Sequence, residues 1–148
     1  MKFTEEYILE NIPAYQKANY ELEQLSQQYQ KAIEAKAKEA EFLYNAYQKS
    51  ASTMSATQRS QKEEAIVAKE KETMELRQKY FGNEGEMRKK EEALIIPIQN
   101  QIYEAVKQIS MQKGYDIVID RASANSMIYA SPKIDISNEI LRKLGYSK

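Results

Sequence analysis

The sequence predicts a mainly α-helical chain with a small β body: a long antiparallel helical hairpin, a few short strands, and a need for partner chains. Three observations carry this expectation. Only 4 glycines and 3 prolines interrupt 148 residues of which 30% are charged, a balance that favours long helices over a compact mixed core. A heptad-like apolar seam runs through the first third of the chain. After Gly114 the apolar period changes from 3.6 to 2, in "YDIVID" at 115–120.

Taken in chain order, Glu5–Asn11 reads as a short helical turn ending at Ile12, because a residue before proline is pushed out of the α region. From Ala14 to about Lys49 the pattern is helical. Leu22, Leu25, Tyr29, Ile33, Lys36, Ala40, Leu43 and Tyr47 recur at steps of three and four, with Lys36 the polar lapse. The small hydroxylated residues of "SASTMSAT" (50–57) carry no stripe and read as the hairpin tip. Thr57 is the expected cap of the next helix, although Ser60 replaces the Glu or Gln of a capping box. A second helical run then extends from about Gln58 to Gln112. It is weakly apolar at first (Ile66, Val67, Met74, Leu76, Tyr80, Phe81) and strongly seamed later (Ile95, Ile98, Ile102, Ala105 or Val106, Ile109).

Helices of about 36 and 55 residues are about 54 and 80 Å long, more than one hairpin can bury in a globule. The expected organisation is therefore an arm over 14–94 and a body formed by 1–13 and 95–148. Gly82 and Gly85 each cost about 1 kcal/mol against alanine in a helix interior and mark a soft spot. Pro97 is expected to kink the helix on entry to the body. These three residues are the candidates for arm flexibility.

Past Gly114, an expected C-cap, Tyr115, Ile117 and Ile119 face one way and Asp116, Val118 and Asp120 the other. A second strand is expected over 126–130, containing "MIYA". Asp135 is the expected N-cap of a terminal helix over about 136–144, which Gly145 ends. Two strands and one short helix are marginal alone, and their open edges invite pairing. Pooling of several chains resolves both problems. The candidate oligomerisation residues are Ile98, Ile102, Val106, Ile109, Ile117, Val118, Ile119, Ile128, Ile140 and Leu141.

Several function classes are disfavoured. Lysine plus arginine equals aspartate plus glutamate at 22 each, so no net field draws in nucleic acid or an anionic membrane. Cysteine and histidine are absent, which removes thiolate and imidazole metal sites and His-dependent acid–base chemistry. No run reaches the roughly 18 apolar residues of a membrane span. The carboxylates of "EGEMRKKEE" alternate with cations and read as a solvated, ion-paired face rather than a metal site. No phosphate-loop pattern surrounds Gly82 and Gly85. No cofactor, metal or catalytic set is expected, and the chain is not expected to be an enzyme.

The segment "PIQNQIYEAVKQISMQKGYDIVID", the short "MIYA", and "DISNEILRKL" resemble, in order and spacing, the Skp (OmpH-like) family of periplasmic chaperones. The front, "YILENIPAYQKA", is similar to that family's short helix, proline and entry into the first arm. The resemblance implies a homotrimer with a β-barrel-like body and three helical hairpins around a cavity. It implies an ATP-independent holdase in the periplasm that encloses unfolded outer-membrane proteins. No signal peptide is visible in "MKFTEEYILENIP", so this location presumes its removal. Two departures stand out. Only "MKF" occupies the place of the family's first body strand, and the tip carries only Lys49, Arg59 and Lys62 as cations, so lipopolysaccharide binding is not carried over.

Off the seam, Phe42, Tyr44, Met54, Met74, Tyr80 and Phe81 are the candidate client contacts, since aromatic and Met-containing surfaces suit varied partners. The alternative reading is a non-catalytic coiled-coil scaffold or adaptor of the cell envelope. A prefoldin-like chaperone is less compatible, because both expected strands follow the second helix.

Overall fold

A computed structural model describes residues 1–146. In order the elements are β1 (Lys2–Phe3), α1 (Glu5–Glu10), α2 (Pro13–Ser50), a 3-10 turn (Ala51–Thr53), α3 (Ala56–Phe81), α4 (Glu86–Lys113), β2 (Ile119–Asp120), a second 3-10 turn (Pro132–Ile134) and α5 (Ser137–Lys143). They form two compact units. One joins Met1–Glu21 to the chain from Glu91 onward; the other is Leu22–Lys90.

The first unit has a core of its own. Phe3 from β1, Ile8, Leu9 and Ile12 from the α1 region, Ile98, Ile102, Ala105 and Ile109 from α4, and Ile136, Ile140 and Leu141 around α5 are all buried together. The isoleucine seam of α4 thus closes against α1 and α5 of the same chain. Ile98, Ile102, Ile109, Ile140 and Leu141, expected in a core pooled between chains, are already buried within one chain. Val106 and Val118 pack on the margin of the same core.

The partner of "YDIVID" is the N-terminus. β1 pairs with β2 in parallel, Lys2 with Ile119 and Phe3 with Asp120. On its other side Lys2 bridges to Asp135, and the Ile136 amide donates to the Lys2 carbonyl at 2.9 Å. Lys2 and Phe3 of "MKF" therefore form a strand, flanked by β2 on one side and the isolated Asp135 bridge on the other. Two other expectations change. The strand expected over 115–120 shortens to Ile119–Asp120, and none forms over 126–130. A strand exists only beside a hydrogen-bonding neighbour, and within this chain 126–130 has none among the described residues. Ile117, just before β2, and Ile119 within it turn outward, while Val118 between them packs inward.

Helix ends explain the element boundaries. Ser55, not Thr57, caps α3, in a complete capping box with Gln58. At Gly114 φ is +71°, and the Tyr115 amide donates to the Ser110 carbonyl at 2.9 Å, closing α4 as a Schellman motif. The expected single run from 58 to 112 is broken at Gly82–Gly85. There the Gly85 amide donates to the Gly82 carbonyl at 2.9 Å, and a Cβ on Gly85 would lie 2.8 Å from the Gly82 nitrogen. The backbone approaches itself too closely here for any side chain, so the break between α3 and α4 is a built turn. α4 runs on through Pro97, whose ring leaves the exposed Ala93 carbonyl without its helical donor.

Asp135 sits one residue ahead of the expected capping geometry. Its carboxylate accepts from the Ser137 amide at 2.9 Å and from Lys2 Nζ at 2.8 Å, while Ile136 is the formal N-cap. Burial raises the Asp135 carboxyl, but the hydrogen bonds from Lys2 and Ser137 outweigh it and hold the group below its ordinary value. A carboxylate depressed in the folded state adds stability above its unfolded pKa, and loses it as pH falls through the folded one. Asp135→Ala is expected to cost about 1 kcal/mol at neutral pH. In urea titrations the gap to wild type should shrink below about pH 4; a gap constant with pH would contradict the pairing.

Candidate functional site

In the hairpin unit the seam points inward. Leu22, Ile33 and Ala40 are buried, and Leu25, Tyr29, Lys36, Leu43 and Tyr47 are half-buried between exposed neighbours. α3 answers with buried Ile66 and Thr73. At one end, Tyr29 stacks on Tyr80 with ring centroids 3.9 Å apart and planes 7° from parallel, and meets the edge of Phe81 at 6.2 Å. Tyr29 Oη also donates to Glu86 at 3.1 Å, so one α2 side chain touches both sides of the Gly82–Gly85 turn. Partial burial and the Glu86 hydrogen bond push the Tyr29 phenol above its ordinary value. Near the tip, Tyr47 donates to Glu63.

With those side chains committed to packing, the expected contact residues divide. Phe42 is 73% exposed and Met74 69% exposed, and Tyr44 and Phe81 are also exposed. Met54 is half-buried in the tip. Tyr80 is half-buried in the Tyr29 stack and contributes to packing of the hairpin. Val67, exposed beside buried Ile66, was not a sequence candidate. Its signal was there: a β-branched apolar residue one step off the α3 stripe.

Phe42 and Phe81 each stand in an open groove. One, of about 560 Å³, is lined by Ala35, Lys38, Glu39, Phe42, Leu43 and Lys69. The other, of about 450 Å³, is lined by Gln30, Ile33, Glu34, Ala37, Arg77 and Phe81. Each combines an aromatic ring with aliphatic surface and a rim of both charge signs. Such a groove accepts an apolar side chain and tolerates either charge beside it, with no fixed polar pattern to demand one sequence. Among the described residues no group of three or more His, Cys, Asp or Glu could hold a metal ion, and no helix is long and apolar enough to cross a membrane.

The body unit presents a second surface. Ile117 is 69% exposed, Ile128 99% and Tyr129 78%, and Ile119, two residues after Ile117, is also exposed. β2 is paired on one edge by β1, and its other edge has no strand beside it among the described residues. Tyr129 was not singled out in the sequence; its neighbours Met127, Ile128 and Ala130, apolar without helical spacing, were the clue.

Comparison with known proteins agrees with this architecture. The family model described as Outer membrane protein (OmpH-like) matches residues 4–144. A protein named Chaperone protein Skp from Yersinia enterocolitica is 34% identical over 97 residues, 66% of this chain and 56% of that protein. A protein of the same name from Pectobacterium atrosepticum is 32% identical over 97 residues, 66% of this chain and 55% of its own length. The alignments therefore span little more than half of these relatives. The crystal structure of an OmpH-like chain from Caulobacter crescentus CB15 superposes with a TM-score of 0.73 at 14% identity, covering 97% of this chain and 81% of that one, a likeness of fold. The chain has the hairpin, the parallel strand pair, the Gly114 cap and the terminal helix, and with the family model matched over 4–144 it belongs to the outer membrane protein (OmpH-like) family.

Proposed function

We propose that the protein is an ATP-independent holdase chaperone of the periplasm, which as a homotrimer encloses unfolded outer-membrane proteins between its helical hairpins and keeps them from aggregating. The observation that carries this reading is the exposure of Phe42 and Met74 on a hairpin whose seam is already filled. Apolar side chains that the fold does not use remain available to a partner. The two charge-rimmed grooves support a partner defined by apolar content rather than by sequence. Family membership supports the chaperone class.

Such a device works by mass action. It binds the unfolded state and releases it when folding or insertion competes better. Several weak contacts from linked hairpins add to a useful avidity. The proposed trimer contact is the unpaired edge of β2 with Ile117, Ile119, Ile128 and Tyr129, where strand addition from another chain would supply the missing neighbour of 126–130. Gly82, Gly85 and Pro97 are proposed to let the hairpins adjust to clients of different size. Lipopolysaccharide is not among the proposed partners.

The test is light scattering during dilution of a urea-unfolded outer-membrane β-barrel protein. One trimer equivalent per client should suppress scattering without nucleotide. Unchanged scattering, together with capture of one folded envelope protein, would instead identify a scaffold.

A further inference from the structure

Midway along the hairpin four charges close a ring. Lys36 on α2 lies 3.7 Å from Glu39 and 3.6 Å from Glu72, and Lys69 on α3 lies 3.1 Å from Glu39 and 3.4 Å from Glu72. Each cation meets two carboxylates and each carboxylate two cations. The ring stands where the apolar seam lapses, at Lys36. The hydrogen bond from Lys69 holds the Glu39 carboxyl below its ordinary value, and the same bond raises Lys69. Both partners shift as a formed pair requires.

From this we infer that the Lys36–Glu39–Lys69–Glu72 ring sets the register in which α2 and α3 pair. This goes beyond the holdase reading and does not depend on it. Apolar packing alone specifies the register weakly, since α3 buries only Ile66 and Thr73. A polar group at a seam position is a known register device in paired helices, bought with some stability. The worth of the ring lies in what it forbids, because half-exposed ion pairs individually add little. Slipping α3 by three residues one way sets Lys36 against Lys69; the other way sets Glu39 against Glu72. A slip of seven, which preserves the heptad, sets Lys36 against Lys79 or against Ala65. Every such slip breaks the ring. The Tyr29–Tyr80 stack and the Tyr47–Glu63 bond lie in the same antiparallel register as the ring.

The chain has no cysteine, so spin labels at Gln28→Cys and Glu64→Cys report one intrachain distance along the hairpin. Labelled chain is diluted into excess unlabelled chain to suppress distances between subunits. In K36E/E39K the native register opposes like charges, while a three-residue slip brings the new carboxylate at position 36 to Lys69. Pulsed dipolar spectroscopy should then show a population about 4.5 Å shorter. The complete exchange K36E/E39K/K69E/E72K should restore the wild-type distance. An unshifted distance in K36E/E39K would overturn the inference. Should that variant melt, the complete exchange decides: recovery of fold and distance supports the ring, and failure to recover overturns it.

Discussion

Ile102→Ala is expected to destabilise the body unit by about 2–5 kcal/mol. Ile102 is fully buried, in a core shared with Ile8, Ile12, Ile140 and Leu141, the other fully buried large side chains. Truncation removes methyl groups from among elements of three different stretches of chain, and the lining cannot collapse without moving α1 or α5. The effect should be read by urea denaturation under far-UV circular dichroism at fixed protein concentration, since association also shifts apparent stability. Ile96→Ala, at an exposed position of the same helix, should stay within about 0.5 kcal/mol of wild type. Equal losses at both positions would mean that the seam is not the intrachain core described above.

The second large effect concerns assembly. I117D/I128D is expected to convert the proposed trimer to single chains while leaving helix content unchanged. Neither isoleucine belongs to the buried core, so a carboxylate there costs the isolated chain little. At an interface of pooled strands, the same two carboxylates per chain would be desolvated without cations. Sedimentation velocity distinguishes the outcomes. A variant that keeps the wild-type sedimentation coefficient would remove this face from the proposed trimer contact.

The contrast between Ile102 and Ile128 marks what the sequence could disclose. The 3.6-residue period placed Leu22–Tyr47 on one face, and each of those side chains is at least half-buried. Gly114 was legible because a helix followed by a period-two stretch needs a left-handed residue between them. The α4 isoleucines were equally legible as buried, but periodicity says nothing about what covers them. Their cover proved to be α1 and α5 of the same chain. β1 escaped notice because two residues carry no pattern, and its parallel partner lies far along the chain. In "SASTMSAT" several residues had capping chemistry, and only geometry selected Ser55. Among the candidate contacts, Phe42 and Met74 could be read as off the seam, whereas Tyr80 could not be separated from them without seeing Tyr29.

The central claim, an oligomeric holdase for unfolded outer-membrane proteins, is tested most directly by native mass spectrometry with and without such a client. The account predicts the mass of three chains alone, and that mass plus one client chain after addition of the urea-unfolded β-barrel protein. A single-chain mass that acquires no client under the same conditions would contradict it.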